Sequence, residues 1–385
     1  FMKKFILLSL MTLSFSGFGQ KLKDSILSKK LDTYRHLTIS LPPSYDRETK
    51  KVYPLLFLLD GDYLFDPFQG AISYGNYWDD LPEVIIVGLA QNRDKERDSD
   101  CTFDDSTGLP EGKGESFFEF IGGELLPFLQ NKYRISPFKI IAGHDVTAGY
   151  MNLFLYKDNP LFNAYISLSP ELATEMEVRV AERLGTFKQN MFYYQSSADG
   201  DIKKMRTKIA TLDENIKAAN NTSLNYKYDD FKGASHYSLV LYSIPSALYQ
   251  FFAAYQPIST SEFQEKIVKL ESGYVDYLKN KYEILEKALG IKMPIRLNDF
   301  KAIEAAILKN KAYNEFELLA QLSKKMYPKS MLGDYHMAMF YENTGDIKNA
   351  VRHYQNGFQM QEIGDLTKDM MLGKADELRV QIKKK

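Results

Sequence analysis

Ile140-Ile141-Ala142-Gly143-His144-Asp145-Val146-Thr147-Ala148-Gly149-Tyr150 is the stretch that decides how this chain is read. An apolar strand runs into Gly-His-X, then into small residues, and then into a helical pattern at Met151, Leu153, Phe154 and Leu155. That order is the signature of a nucleophile elbow, a tight strand-to-helix turn that lifts one side chain above the sheet, where an attacking group sits. The lifted position holds Asp145 rather than serine. Three readings follow: a serine hydrolase that has lost its serine, an aspartate-nucleophile enzyme, or a binding protein on an enzyme scaffold.

Upstream, residues 52–60 and 83–89 carry Leu55-Leu56-Phe57-Leu58-Leu59 and Val84-Ile85-Ile86-Val87. Continuous apolar runs of strand length suit central strands covered on both faces. Residues 33–41 alternate and stop at Pro42-Pro43, as a strand ended by prolines does. Helical spacing over 115–133 precedes the elbow. Downstream, Ala164–Leu168, 192–195 and 223–228 read as strands, with a helix over 201–219. Strands alternating with helices predict an α/β fold with a doubly wound, mainly parallel sheet.

The 385 residues suffice for two or three domains, and a 44% hydrophobic fraction is ordinary for a globular chain. A formal net charge of -1 gives no reason to expect a nucleic-acid or anionic-membrane partner. Met2-Lys3-Lys4, an apolar run from Phe5 to about Phe18, and Gly17 and Gly19 have the form of a signal peptide over residues 1–19. The run is shorter than the roughly 20 residues a membrane span needs, so the mature chain is expected to be periplasmic or secreted, with no transmembrane segment. Cys101, the single cysteine, excludes an intrachain disulfide and reads as an ordinary surface thiol among Asp98, Asp100 and Asp104.

Several further motifs, in order, carry a resemblance. Tyr53-Pro54 through Asp60-Gly61-Asp62, Glu83 to Leu89, Asn92-Arg93 with Arg97-Asp98, Glu124-Leu125-Leu126-Pro127-Phe128 with Tyr133-Arg134, Gly143-His144, and Leu161-Phe162 through Ser169-Pro170 are similar to the putative-esterase family of α/β-hydrolases, the group of esterase D-like and siderophore-esterase-like enzymes. The similarity spans about residues 30 to 255. It implies the α/β-hydrolase fold, an ester or acyl ligand, and a catalytic histidine at His236, within Gly233-Ala234-Ser235-His236-Tyr237-Ser238.

Measured against that family, the elbow Gly-X-Ser-X-Gly departs twice. Asp145 takes the serine position and Thr147 takes the second glycine, where a β-branched side chain is a poor fit for tight backbone geometry. A shift onto Ala148-Gly149 would restore small residues. The orienting acid follows the 192–195 strand, where Asp199 and Asp201 both qualify and Asp199 is preferred. Gly61, Asp62, Tyr63 and Val146 stand where backbone N–H groups would form the oxyanion pocket. His144 is expected to point away from the site. Arg93, Asp94, Arg97 and Asp98 form a charged loop at its mouth, either a solvated ion-pair cluster or a holder of an acidic ligand.

Asp145 as a nucleophile resembles haloalkane dehalogenases and epoxide hydrolases, which put aspartate on this elbow. Those enzymes keep glycine two residues on and carry a large helical cap, whereas only residues 171–190 are available here. Neither a phosphate-binding glycine loop nor metal-ligand spacing is present in the sequence, and no cofactor or metal is expected.

After residue 256 the strand signals vanish, and 262–289, 299–309, 312–326, 335–343, 347–359 and 366–382 read as helices. Ala338, Tyr341, Gly345-Asp346, Ala350 and Tyr354 are spaced like a tetratricopeptide (TPR) repeat. The organisation expected is a leader (1–19), an esterase-like domain (20–256) and an all-α TPR-like domain (257–385) that meets a protein partner. An Asp145 that replaces the serine, beside Thr147, is expected to leave an impaired esterase acting as a binding or assembly component. An active ester hydrolase with a rearranged elbow and an aspartate-nucleophile hydrolase are the alternatives.

Overall fold

The computed structural model describes residues 21–93, 95–104 and 106–383. The expected leader over 1–19 and Asp94 of the charged loop lie outside the described residues. Two compact units divide the chain: one runs to Tyr255 and includes Ala288–Ile291, and the other comprises Gln256–Lys287 and Lys292 onward.

The first unit is built on β1 (Lys21–Ser28), β2 (Thr33–Ser40), β3 (Tyr53–Leu58), β4 (Ile85–Leu89), β5 (Ile135–His144), β6 (Ala164–Leu168), β7 (Met191–Ala198) and β8 (Leu224–Phe231). They form one sheet in the order β1-β2-β4-β3-β5-β6-β7-β8. The pairs from β4 through β8 are parallel, whereas β2 runs antiparallel to both β1 and β4. Every residue of β3 and β4 is buried, as their unbroken apolar runs require. Edge strand β1 was not expected. Its sequence, Lys-Leu-Lys-Asp-Ser-Ile-Leu-Ser, is too polar to announce a strand, and it forms by pairing along its length with β2. Lysines at such an edge discourage pairing with another chain.

Around the sheet lie α1 (Gly61–Tyr77), α2 (Glu96–Asp100), α3 (Lys113–Phe120), α4 (Leu126–Lys132), α5 (Val146–Tyr150), α6 (Met176–Thr186), α7 (Lys203–Ala219) and α8 (Leu239–Phe251). The single helix expected over 115–133 is instead α3 and α4 joined by a π turn, Ile121–Leu125. Pro127 lacks a backbone donor, and the Leu126 N–H reaches five residues back to the Ile121 carbonyl. Gly61, Asp62 and Tyr63, expected to offer oxyanion N–H groups, lie in a helix. Asp60, at φ 52°, turns the chain straight from β3 into α1. A Cβ on Gly61 would lie 2.5 Å from the Gly88 carbonyl carbon, so glycine is what lets α1 start this close to β4.

One hydrophobic cluster joins Leu55, Phe57 and Leu59 with Phe117, Phe120, Leu129, Val180 and Leu212, so one face of the sheet and the helices over it share a core. Helices α1 and α8 contact each other, and α8 lies on β6, β7 and β8.

The second unit contains α9 (Thr260–Glu265), α10 (Tyr274–Leu289), α11 (Leu297–Asn310), α12 (Glu315–Met326), α13 (Leu332–Thr344), α14 (Ile347–Phe358) and α15 (Lys368–Lys383). The expected 262–289 helix is split, and Gly273 at φ 82° starts its second part. Each helix from α12 to α15 packs on the next. Gly345, at φ 90°, closes α13, and the Asp346 side chain accepts the Asn349 N–H to cap α14. Buried Asp299 holds the unit's start together, accepting from the Ile258 N–H at 2.8 Å and the Tyr282 hydroxyl at 2.7 Å. Among the described residues no helix is long and apolar enough to cross a membrane.

Candidate active site

In a parallel sheet the residues just past the carboxyl ends of the strands converge on one rim, the usual place for a ligand. Asp60 follows β3, Arg97 lies on α2 after β4, Asp145 follows β5, Asp201 follows β7 and His236 follows β8. The fold thus brings together side chains from five separate segments.

Asp145 has φ 62° and ψ -122°, a conformation that costs a non-glycine residue about 1–3 kcal/mol. The surroundings hold it there. Its N–H donates to the Leu168 carbonyl at 3.0 Å, and its own carbonyl accepts from Gly149 at 3.1 Å and Glu171 at 3.0 Å. A Cβ on Gly149 would lie 1.8 Å from the Glu171 oxygen, so the small residue this elbow cannot lose is Gly149. Thr147 fits where a poor fit was expected. It is fully buried, and its hydroxyl accepts the His144 N–H at 3.0 Å and lies 2.6 Å from Asp60 Oδ2, to which it donates. A polar bond replaces the space a glycine would have left.

His236 stands between two carboxylates. Its Nδ1 is 2.7 Å from Asp201 Oδ1, and its Nε2 is 3.8 Å from Asp145 Oδ1. Asp201 is buried and fixed by the Ala198 N–H at 2.8 Å. This corrects the preference for Asp199, whose side chain is 42% exposed, accepts the Gly233 N–H and pairs with Arg206 at 3.0 Å. Asp199 faces the solvent side of the β7 turn, and Asp201 faces inward.

Arg97, expected in a mouth loop, is instead part of the site. Its Nε is 2.7 Å from Asp60 Oδ1, an Nη donates to the His144 carbonyl at 2.9 Å, and both Nη atoms lie 3.4 Å from Asp145 Oδ2. Burial opposes its charged form, but the bond to Asp60 and the nearby carboxylates win and raise its pKa.

A buried network sets α2, which delivers Arg97. Arg35, 1% exposed, forms two parallel bonds to Asp100, at 2.9 and 2.6 Å, and its guanidinium lies over the Phe117 ring. Gln91 donates to Asp100 at 3.0 Å and accepts the Asp60 N–H at 2.9 Å. Cys101, next in the chain, is buried rather than on the surface. Burial and then Asp100 push its thiol pKa up, against a nucleophilic role.

His144 does not point away from the site. Its ring lies 4.6 Å from that of His236, its Nδ1 is 3.0 Å from the Tyr63 hydroxyl, and its Nε2 is 3.0 Å from the His236 carbonyl. The expected oxyanion residues divide. Tyr63 spends its backbone N–H on the Asp60 carbonyl, and the Asp62 side chain accepts the N–H groups of Gln91 and Asn92. Gly61 and Val146 open α1 and α5, where first-turn N–H groups lack intrahelical partners. Asp60, Arg97 and Thr147 as a linked set were missed, because no local sequence signal connects positions so far apart.

The hydrogen bond to Asp201 raises the His236 pKa, burial lowers it, and the Asp145 charge adds to the rise. For Asp201, burial raises the pKa, but bonds from His236, Ser169 and Ala198 outweigh it and the net shift is downward. The linked stabilities have opposite signs. The raised histidine stabilises fully below its unfolded pKa of about 6.5 and loses that contribution as pH rises through its folded value. The depressed aspartate stabilises above about 3.9 and loses that as pH falls through its folded value. In Asp201→Asn, His236 should titrate at lower pH than in the unaltered chain, read from its ring proton shifts; an unchanged midpoint contradicts the assignment.

Among the described residues no group of three or more His, Cys, Asp or Glu side chains could hold a metal ion.

The model of the putative esterase family matches residues 28–232. The chain belongs to the putative esterase family. Similar solved structures agree with this putative-esterase assignment at the level of fold. An uncharacterised protein from Capnocytophaga ochracea is 28% identical, with a TM-score of 0.85, over 94% of this chain and 100% of that one. An IroE-like serine hydrolase from Shewanella oneidensis is 19% identical, with a TM-score of 0.60, over 80% of this chain and 99% of that one. The BES protein from Bacillus cereus is 21% identical, with a TM-score of 0.52, over 61% and 96% of the two chains. No curated protein sequence matches the chain.

Proposed function

We propose that this esterase-family chain binds a ligand at the Asp145 site without hydrolysing esters, and serves as an exported binding or assembly component whose helical unit meets a protein partner. The observation that carries the reading is the Asp145 carboxylate, held between Arg97 and His236. A carboxylate attacking an ester carbonyl must expel an alkoxide more basic than itself to form a mixed anhydride, a strongly uphill step. Its charge also repels the oxyanion that an esterase must stabilise. A general base must be free to accept a proton, whereas His236 is flanked by two carboxylates that favour its protonated form. Asp60, Asp145 and Asp201 outnumber Arg97 and His236 in charge, so the ligand favoured is neutral or cationic and not the acidic one the Arg93–Arg97 loop suggested.

The partner role draws support from the second unit, where paired helices begin at Leu297 and Glu315 and again at Leu332 and Ile347, a spacing close to that of TPR units. Export rests on the sequence of residues 2–19 alone. Purified protein should turn over short acyl nitrophenyl esters no faster than its His236→Ala variant; turnover that this substitution abolishes refutes the binding reading.

One observation favours a second reading, an aspartate-nucleophile hydrolase: the Asp145–His236–Asp201 row is in order, with Asp145 Oδ1 facing His236. In such an enzyme the carboxylate attacks carbon and a histidine-activated water cleaves the resulting ester.

A further inference from the structure

The helical unit contains a cavity of about 300 Å³ between α11, α13 and the segment leading into α15, within the size range of small-molecule sites. Its walls are apolar: Leu297, Phe300, Leu332, Leu366 and Met370. Glu304, Tyr335 and His336 supply polar groups, and the exposed Lys301–Asp365 ion pair also lines it.

His336 is fully buried, and its Nδ1 lies 2.7 Å from the Ser323 hydroxyl. The Ser323 hydroxyl has one proton and two acceptors in reach, the Leu319 carbonyl at 2.8 Å and His336 Nδ1 at 2.7 Å. With that proton assigned to Leu319, the Ser323 oxygen accepts and Nδ1 carries the ring proton. In a neutral imidazole this leaves Nε2 a bare lone pair, and Nε2 is buried with no hydrogen-bond partner. The nearest charged group is Glu304 Oε2, at 3.4 Å, which is also an acceptor. Tyr335 donates to the other oxygen of Glu304 at 3.2 Å.

Two acceptors facing each other at the edge of an apolar cavity lack a donor between them. Leaving a buried polar group unpaired costs about 1–3 kcal/mol, so a ligand that donates to both recovers that cost. We propose that this cavity binds a hydrophobic primary ammonium, its alkyl chain on Phe300, Leu332 and Met370 and its N–H groups shared by Glu304 and His336. The ammonium source is either a free alkylamine or a lysine side chain of a peptide. Lys301, paired with Asp365 at 2.5 Å, is already engaged and leaves the Glu304 charge for the ligand.

Calorimetric titration of the full chain with pentylamine, Nα-acetyl-lysine methylamide and 1-pentanol tests this. Saturable one-to-one binding of at least one amine, with the alcohol at least tenfold weaker, is expected, and the stronger amine identifies the source. Glu304→Gln should weaken binding tenfold or more. Met370→Arg, at a half-exposed wall position, should do the same by repulsion without disturbing the interior. Equal binding of the alcohol, no amine binding at millimolar concentration, or indifference to both substitutions would overturn the proposal. Nitrogen shifts showing a proton on His336 Nε2 in the free protein at pH 7.5, in the neutral or the doubly protonated ring, would also overturn it, because the pair would then satisfy itself.

Discussion

Asp145→Ser should turn the protein into an esterase, with hydrolysis of short acyl nitrophenyl esters about 10²–10³-fold above the unaltered chain, within the range a positioned general base supplies. Three parts of the machinery are already present. The elbow backbone is held by Leu168, Gly149 and Glu171, His236 is oriented by Asp201, and Gly61 and Val146 open helices at the rim. Removing the carboxylate lowers the His236 pKa, because the Asp145 charge contributes to its rise, and so returns the imidazole toward a free base. It also releases the Arg97 Nη atoms that face Asp145 Oδ2, leaving cationic donors beside a developing oxyanion. Thr147 should be left in place. Its hydroxyl ties Asp60 to the His144 backbone, and Thr147→Gly would strip that bond from a buried carboxylate. Rates of Asp145→Ser, Asp145→Ala and Asp145→Ser with His236→Ala provide the check. Only the first should be active, and equal rates in all three would mean the serine position is not the missing part.

Arg35→Met should be the most destabilising single change near the site, by about 3–5 kcal/mol, the cost of leaving one half of a buried ion pair alone. Asp100 has 0% exposure, and with Arg35 gone the Gln91 amide at 3.0 Å is left to face its charge. The stacking of the guanidinium on Phe117 is lost too. Adding Asp100→Leu should restore much of the loss, because an apolar pair of similar volume can replace a buried ion pair at little net cost. Urea unfolding of the single and double variants measures both. A single variant as stable as the parent would show that this network does not hold α2, which carries Arg97.

The sheet was largely legible because its central strands are buried on both faces and so spell unbroken apolar runs, as in Leu55–Leu59 and Val84–Val87. Strand β1 was not, because an edge strand of alternating lysines takes its structure from its partner β2. The elbow was readable from its local motif, and His236 was reached through the family resemblance. The acid was harder to place, because Asp199 and Asp201 sit in one turn and only the bond from the Ala198 N–H to Asp201 decides which faces inward. Arg97 was beyond local reading. Its position follows from Arg35 and Asp100, 65 residues apart in sequence, and from Gln91 joining Asp100 to Asp60. Thr147 reversed the expectation drawn from its shape, since its hydroxyl found partners that a steric argument does not count.

The most direct measurement of what the elbow aspartate does is mass spectrometry of the peptide containing Asp145 after incubation in H₂¹⁸O with nitrophenyl esters, epoxides and haloalkanes. An aspartate that attacks carbon gains labelled oxygen when water opens its ester intermediate. For a carboxylate held by Arg97 as a binding group, the expected result is no turnover above the His236→Ala background and no label at Asp145. Label accumulating at Asp145 alongside His236-dependent turnover would contradict it and make this chain an aspartate-nucleophile hydrolase.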